Sequence, residues 1–333
     1  MLTNKARRRV LQIIGTASLL SPALIKQAVA QDNLKETALH KWQGIALGGQ
    51  AEIILPKENG SKELAHKIRQ EIKRLENIFS LYIPGSEINR LNTRGEILNP
   101  SPELYHVIST SHSISSLTKG AFDITVQPMW LLHSEMPNLT DYKRHQMAQS
   151  ISELVDYRNI DTSVNKISFK KSGMAITLNG IAQGFITDHI YQLLKSHGLT
   201  KSLVNIGEIK ALGTHPSGRE WTIAIDNEGQ QSLENAVNLH AGKAIATSTP
   251  TGTVLRDGHS HLIQAHSLLV RDFRTQPLYK SMSVIANNAT KADALSTGLS
   301  FIPVQELKDT LSTENDIEII AKTSTGETIR IQV

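Results

Sequence analysis

The sequence predicts an α+β domain with packed helices and mixed sheets, and three observations carry that prediction. Amphipathic helical segments and β-branched runs succeed one another without a regular strand-helix-strand repeat, which argues against a doubly wound parallel sheet. No internal repeat or low-complexity segment interrupts them. No linker composition divides the chain, so residues 31–333 are expected to form one domain, large enough to bury about three quarters of its surface.

Residues 1–30 are set apart as a leader. Arg7, Arg8 and Arg9 precede an apolar run that ends at Ala28, Val29 and Ala30, the order of a signal peptide with an A-x-A cleavage site. The apolar run is too short and mild to span a membrane. "RRRVLQ", with Lys26 near the cleavage site, resembles the twin-arginine signal, so the expectation is export to the periplasm with cleavage near Ala30. Lys5, Arg7, Arg8, Arg9 and Lys26 of this leader outweigh the whole formal charge of +4, so the remaining chain is near neutral, at about −1, with no nucleic-acid footprint. The chain has no cysteine, which excludes disulfides, thiolate metal sites, a Cys nucleophile and a lipid anchor on a mature N-terminal Cys.

The elements follow in order. "AEIIL" is a strand, and "SKELAHKIRQEIKRLENIFS" is an amphipathic helix. "SPELYHVISTSHSISSL" starts a second helix, with Ser101 as N-cap and Pro102 at its first position, and "TDYKRHQMAQSISELV" is a third. "KISFKK", "MAITL", "SLVNI", "WTIAI" and "SMSVIA" read as strands, and a hairpin turning at "TSTGE" closes the chain. Between them, "ITLNGIAQGFITDHIYQLLKSHGL" reads as a strand entering an amphipathic helix through a glycine-flanked turn. Gly180 and Gly184 either let a phosphate-bearing ligand approach the helix N-terminus or serve close packing.

Several constellations could carry chemistry. In "NNATKADALSTGLSF", Asn288 or Thr290 can cap a helix on which Asp293 and Thr297 lie one turn apart, two hard oxygens suited to magnesium or calcium; a small-residue packing helix is the alternative. Asp123 sits in an apolar run and must be hydrogen-bonded, exposed or bound to something. Tyr82, Ser86 and Asn89 surround a Pro-Gly turn that is either a binding loop or a capped turn. His259 and His261 could bind zinc or copper together, or one could act as a general base.

Taken in register, "SLYIPGSEINRLN", "GAFDITVQPMW", "NGIAQGF", "AIATST", "HSHLI" and "KADALSTGLSF" resemble the ApbE family, the FAD:protein FMN transferases, across almost the whole chain after the leader. The resemblance implies an ApbE-like, T-fold-related domain that binds FAD and Mg²⁺. Such a protein cuts the FAD pyrophosphate, releases AMP and joins FMN through its phosphate to a Thr or Ser of a partner flavoprotein. It further implies that the turn from Gly180 to Gly184, with Gln183, approaches the nucleotide. The Ala182 carbonyl would join Asp293 and Thr297 around magnesium. His261 would hydrogen-bond the nucleotide or take the acceptor proton, and Tyr82, Ser86 and Asp123 match flavin-site positions.

The chain departs from the family pattern at Gln183, where Lys is usual, at Glu208, where a second Gly is common, at Ser260 in the His pair, and at Gln264 in place of an acid. Gln183 and Glu208, within "GIAQGFITD" and "NIGEIKALGTHPSGREW", look most like the NosX branch of the family, associated with nitrous oxide reductase. That likeness implies an acceptor in the periplasmic flavin domain of the membrane protein NosR, with Glu208 beside the nucleotide. The departures also fit a second expectation, a flavin carrier or maturation chaperone that has lost the reaction. A third is copper or zinc delivery through His259, His261 and His266.

Overall fold

Alternating apolar residues build a large antiparallel sheet with helices on one face and a small hairpin on the other. A computed structural model of the chain describes residues 39–136, 139–225, 236–249 and 276–333, with the backbone alone of 254–256 and 262–264. In chain order, the hairpin β1 (Leu39–Ala46) and β2 (Gly49–Pro56) leads to helices α1 (Lys62–Phe79) and α2 (Glu87–Arg94), strand β3 (Glu96–Leu98) and helices α3 (Pro102–Leu117), α4 (Gln127–Glu135) and α5 (Asp141–Ser152). Strands β4 (Ile160–Thr162) and β5 (Lys166–Phe169) precede helix α6 (Ala182–Ser196). Then come β6 (Ser202–Ile206), β7 (Glu208–Leu212), β8 (Trp221–Ala224), β9 (Ala236–Leu239), β10 (Ala244–Ser248), β11 (Val254–Arg256), β12 (Leu262–Gln264) and β13 (Tyr279–Ala286). Helices α7 (Ala289–Leu299) and α8 (Val304–Thr310) and the hairpin β14 (Glu318–Thr323) and β15 (Thr328–Gln332) complete the described fold.

The main sheet has eight strands in the order β1-β2-β6-β7-β10-β13-β14-β15. Every neighbouring pair in it is antiparallel, so the pairing is not mixed as expected. The two-residue period of each strand divides its side chains between two cores. Ile53, Leu55, Val204, Ile206, Leu212, Ala246, Val284 and Ile319 face the helices. Ile54, Leu203, Ile209, Ala211, Ile245, Ile285 and Ile320 face the other way and pack with Trp221, Ile223, Val237 and Leu239 of β8 and β9.

Local sequence accounts for the helix boundaries. Ser61, Ser86, Ser101, Thr140 and Asn288 each accept a backbone N–H of the first turn. Gly95, at φ 75°, ends α2 in the left-handed conformation that glycine adopts without a side-chain clash. One expected strand is absent: "MAITL" (174–178) joins no ladder. Its backbone is satisfied otherwise. The Asn92 side chain accepts the Ile176 N–H and donates to the Ile176 carbonyl, both at 2.8 Å, and the Thr177 N–H reaches the Ile124 carbonyl. The buried extended segment thus runs beneath α2 and delivers the chain to the start of α6.

Candidate functional site

The start of α6 meets the flank of α7, and small residues on both sides permit the approach. A methyl group on Gly184 would lie 2.3 Å from the Ala289 carbonyl oxygen and 2.8 Å from Asp293 Cβ. A methyl on Gly180 would lie 3.2 Å from Thr297 Oγ1 and 3.3 Å from the Phe122 ring. The two glycines are therefore set against the two oxygen-bearing residues of α7, one turn apart. Helix α6 has no side-chain cap of its own; instead Asp293 Oδ2 accepts the Gly184 N–H at 3.0 Å. A carboxylate at a helix N-terminus is favoured by the unpaired N–H groups and the helix dipole.

Gln183 brings in the turn between β6 and β7. Gly207 has a φ of 87°, and a methyl on it would come within 2.6 Å of the Gln183 side chain. The next residue is Glu208, whose carbonyl accepts the Thr187 hydroxyl at 3.2 Å. Glu208 and Lys210 share a strand face with Leu212, which belongs to the core under the helices. Glu208 is 7% exposed and Asp293 5%. Burial pushes the Asp293 carboxyl up to about 7, against the Gly184 N–H, which favours ionisation. Burial, followed by the neighbouring Asp293 charge, raises Glu208 well above the usual carboxylate range, against a bond from the Thr247 backbone N–H.

Hydroxyls complete the cluster. Thr297 Oγ1 lies 3.3 Å from Ser248 Oγ, which is 2.8 Å from Ser296 Oγ. Two carboxylates and a hydroxyl, buried together, form a hard-oxygen set of the kind magnesium takes, and Glu208 Oε2 has no hydrogen-bond partner among the described residues. The residues fit a divalent cation.

A second network holds this arrangement in place. Asp188 of α6 accepts the Ala289 and Thr290 N–H groups at 3.0 and 2.9 Å, with the Thr290 hydroxyl at 2.7 Å, and so caps α7. Its other partner is Lys210 Nζ at 2.6 Å. The same ammonium donates to the Asn287 carbonyl and lies 4.5 Å from the centre of the Tyr191 ring. Helices α6 and α7 thus cap each other, Asp293 on one and Asp188 on the other. Neither Asp188 nor Lys210 stands out in the sequence; a lysine within the apolar run "NIGEIKALG" is the signal that could have found the second.

The remaining sequence-predicted residues lie around this core. Asp123 is buried; it accepts the Thr125 N–H and hydroxyl at 2.8 and 2.6 Å and the Tyr157 N–H at 2.9 Å. Its neighbour Phe122 touches the Gly180 position. Burial raises the Asp123 carboxyl despite these bonds. Ser86 caps α2 and donates to the Ser80 carbonyl at 2.8 Å, while Asn89 Nδ2 holds the carbonyls of Leu81 and Ile83, each at 2.9 Å. Tyr82, half-buried, sits in the loop they pin. Ala182, 2% exposed, opens α6. His261, His259, Ser260 and His266, together with the leader, lie outside the described residues, as does the side chain of Gln264.

The sequence profile of the ApbE family matches residues 47–321. Among characterised proteins, the FAD:protein FMN transferase of Haemophilus influenzae is 24% identical over 311 residues, covering 88% of this chain and 89% of the relative. That of Chlamydia muridarum is 27% identical over 260 residues, covering 74% and 79%. Of the solved structures, the flavin transferase ApbE from Vibrio cholerae superposes with a TM-score of 0.70 at 22% identity, covering 88% of this chain and 96% of that one. The apbe protein from Thermotoga maritima superposes with a TM-score of 0.73, also at 22% identity, with the same coverage. The family match takes in the fold from the turn after β1 into β14, and with it every described residue of the cluster.

Proposed function

We take as premise that the chain belongs to the ApbE family, and we propose that it is an FAD:protein FMN transferase. The observation that supports this most is the buried cluster of Asp293, Thr297 and Glu208 against the glycine turn of α6, with one carboxylate oxygen left unpaired. In the proposed reaction a Thr or Ser hydroxyl of a partner protein attacks the FMN phosphorus of FAD. The P–O bond to the AMP phosphate breaks, AMP leaves, the hydroxyl proton passes to a base or to solvent, and FMN remains as a phosphoester.

Magnesium is the proposed cofactor, held by Asp293, Thr297 and the Ala182 carbonyl; when bound, it would neutralise charge on the pyrophosphate. The chain's own residues do the rest. Gly180 and Gly184 let the first turn of α6 close against Thr297 and Asp293 of α7, so that its backbone N–H groups lie beside the proposed metal and can meet the phosphates. Gln183, set over Gly207, is positioned to donate an amide hydrogen bond where the family more often has a cation. His261 remains the candidate for the acceptor proton, and Tyr82 for contact with the flavin.

The NosX-like Gln183 and Glu208 support a periplasmic role in nitrous oxide reduction, with the periplasmic flavin domain of NosR as acceptor and twin-arginine export of this chain. The test incubates that domain with this protein, FAD and Mg²⁺, and follows flavin fluorescence on a denaturing gel together with AMP release. Covalent fluorescence with matching AMP supports the transferase. Tight FAD binding without either product would favour a carrier or maturation chaperone instead.

A further inference from the structure

The Glu208 carboxylate is more than nine-tenths buried on the strand face that looks toward α6 and α7. It accepts the Thr247 backbone N–H, yet its Oε2 has no partner among the described residues. An unpaired buried carboxylate oxygen is costly, and the charge that acts on it is the like charge of Asp293. Lys210, on the same face two residues along, does not compensate it, because its ammonium is committed to Asp188 and the Asn287 carbonyl. Gln183, packed over the preceding Gly207, brings an amide and no charge. Among the described residues, two buried carboxylates and the Thr297 hydroxyl therefore come together without a cationic side chain to balance them.

We propose that Glu208 is a further ligand of the divalent cation at the Asp293 and Thr297 site, and that it lets the chain take up the metal before any nucleotide arrives. This rests on the reading of that cluster as a metal site. A second carboxylate adds a full charge and a hard oxygen, so the site gains affinity that would otherwise come only from the phosphates of a bound nucleotide. The consequence is an order of addition: cation first, FAD second.

The test titrates Mn²⁺ alone into the full chain, without FAD, and follows the loss of the free-ion electron paramagnetic resonance signal. The wild type is expected to bind Mn²⁺ at one site. Glu208→Gln should weaken that binding at least tenfold, and Asp293→Asn should weaken it at least as much. Glu208→Asp keeps the charge but withdraws the oxygen by one methylene, and is expected to fall between wild type and Glu208→Gln, which keeps the test decisive if Glu208→Gln folds poorly. Equal Mn²⁺ affinity in Glu208→Gln and wild type would overturn the inference, as would a wild type that binds no Mn²⁺ without nucleotide. Neither outcome touches the transferase reading, which stands or falls on FMN transfer to the acceptor; Glu208-dependent Mn²⁺ binding in a chain that transfers no FMN would sink that reading and leave this inference in place.

Discussion

Asp293 Oδ2 accepts the backbone N–H of Gly184 at 3.0 Å, so a residue of α7 supplies the cap that α6 lacks. The bond joins two segments 109 residues apart and brings a carboxylate to the helix end where a phosphate could also bind. It makes the spacing of the two helices part of the site, and the consequences can be measured.

Gly184→Ala tests the close approach. In an exposed helix interior this change would stabilise by about 1 kcal/mol. Here the new methyl would meet the Ala289 carbonyl at 2.3 Å, and overpacking of this kind costs about 3 kcal/mol. Chemical denaturation should show a loss of stability, and FAD binding should weaken as the helices part.

The pH dependence of stability tests the buried carboxylate. The Asp293 carboxyl moves from 3.8 to about 7 on folding, so across that window the native state holds a proton that the unfolded chain has released. Its contribution to stability is therefore full below the unfolded value and is lost as pH rises through the folded one. Asp293→Asn, which keeps an acceptor for the Gly184 N–H, should gain melting temperature relative to wild type at pH 8, in the absence of divalent ions, and gain little at pH 4. An equal difference at both pH values would contradict the assignment.

Asp188 and Lys210 test the second network. Removing one partner of a buried pair costs about 3–5 kcal/mol, because the other charge is left without compensation. Asp188→Ala should lose that much in a urea melt, and more than the double variant with Lys210→Met, which removes both charges. The Asp188 bonds to the Ala289 and Thr290 N–H groups at the start of α7 are lost in either case, so Mn²⁺ affinity should fall in both.

Asn89→Ala tests the loop that carries Tyr82. The amide holds the Leu81 and Ile83 carbonyls at 2.9 Å each, and its loss should cost about 1–2 kcal/mol. Limited proteolysis between residues 80 and 86 should quicken, and FAD affinity should fall severalfold if Tyr82 touches the flavin.

Much of this was legible in the sequence. Ser101 with Pro102, Ser61 and Asn288 mark helix starts because capping is local chemistry. Asp293 and Thr297 were legible as a pair because helical spacing puts residues four apart on one face. "MAITL" was misread as a strand because an apolar, extended run looks the same whether its backbone pairs with a ladder or, as here, with Asn92, 84 residues away. The mutual capping by Asp188 and Asp293 was not legible, since it depends on how two distant helices cross. For Gly184 the sequence left ligand approach and close packing open; the structure shows that the packing against Ala289 is tight enough to demand glycine.

The most direct test of the central claim is the intact mass of the NosR flavin domain after incubation with this protein, FAD and Mg²⁺, with Asp293→Ala run in parallel. The account predicts a gain of one FMN per acceptor with an equal amount of AMP for the wild type, and no gain for the variant. An unmodified acceptor with the wild type, or full modification with Asp293→Ala, would contradict it.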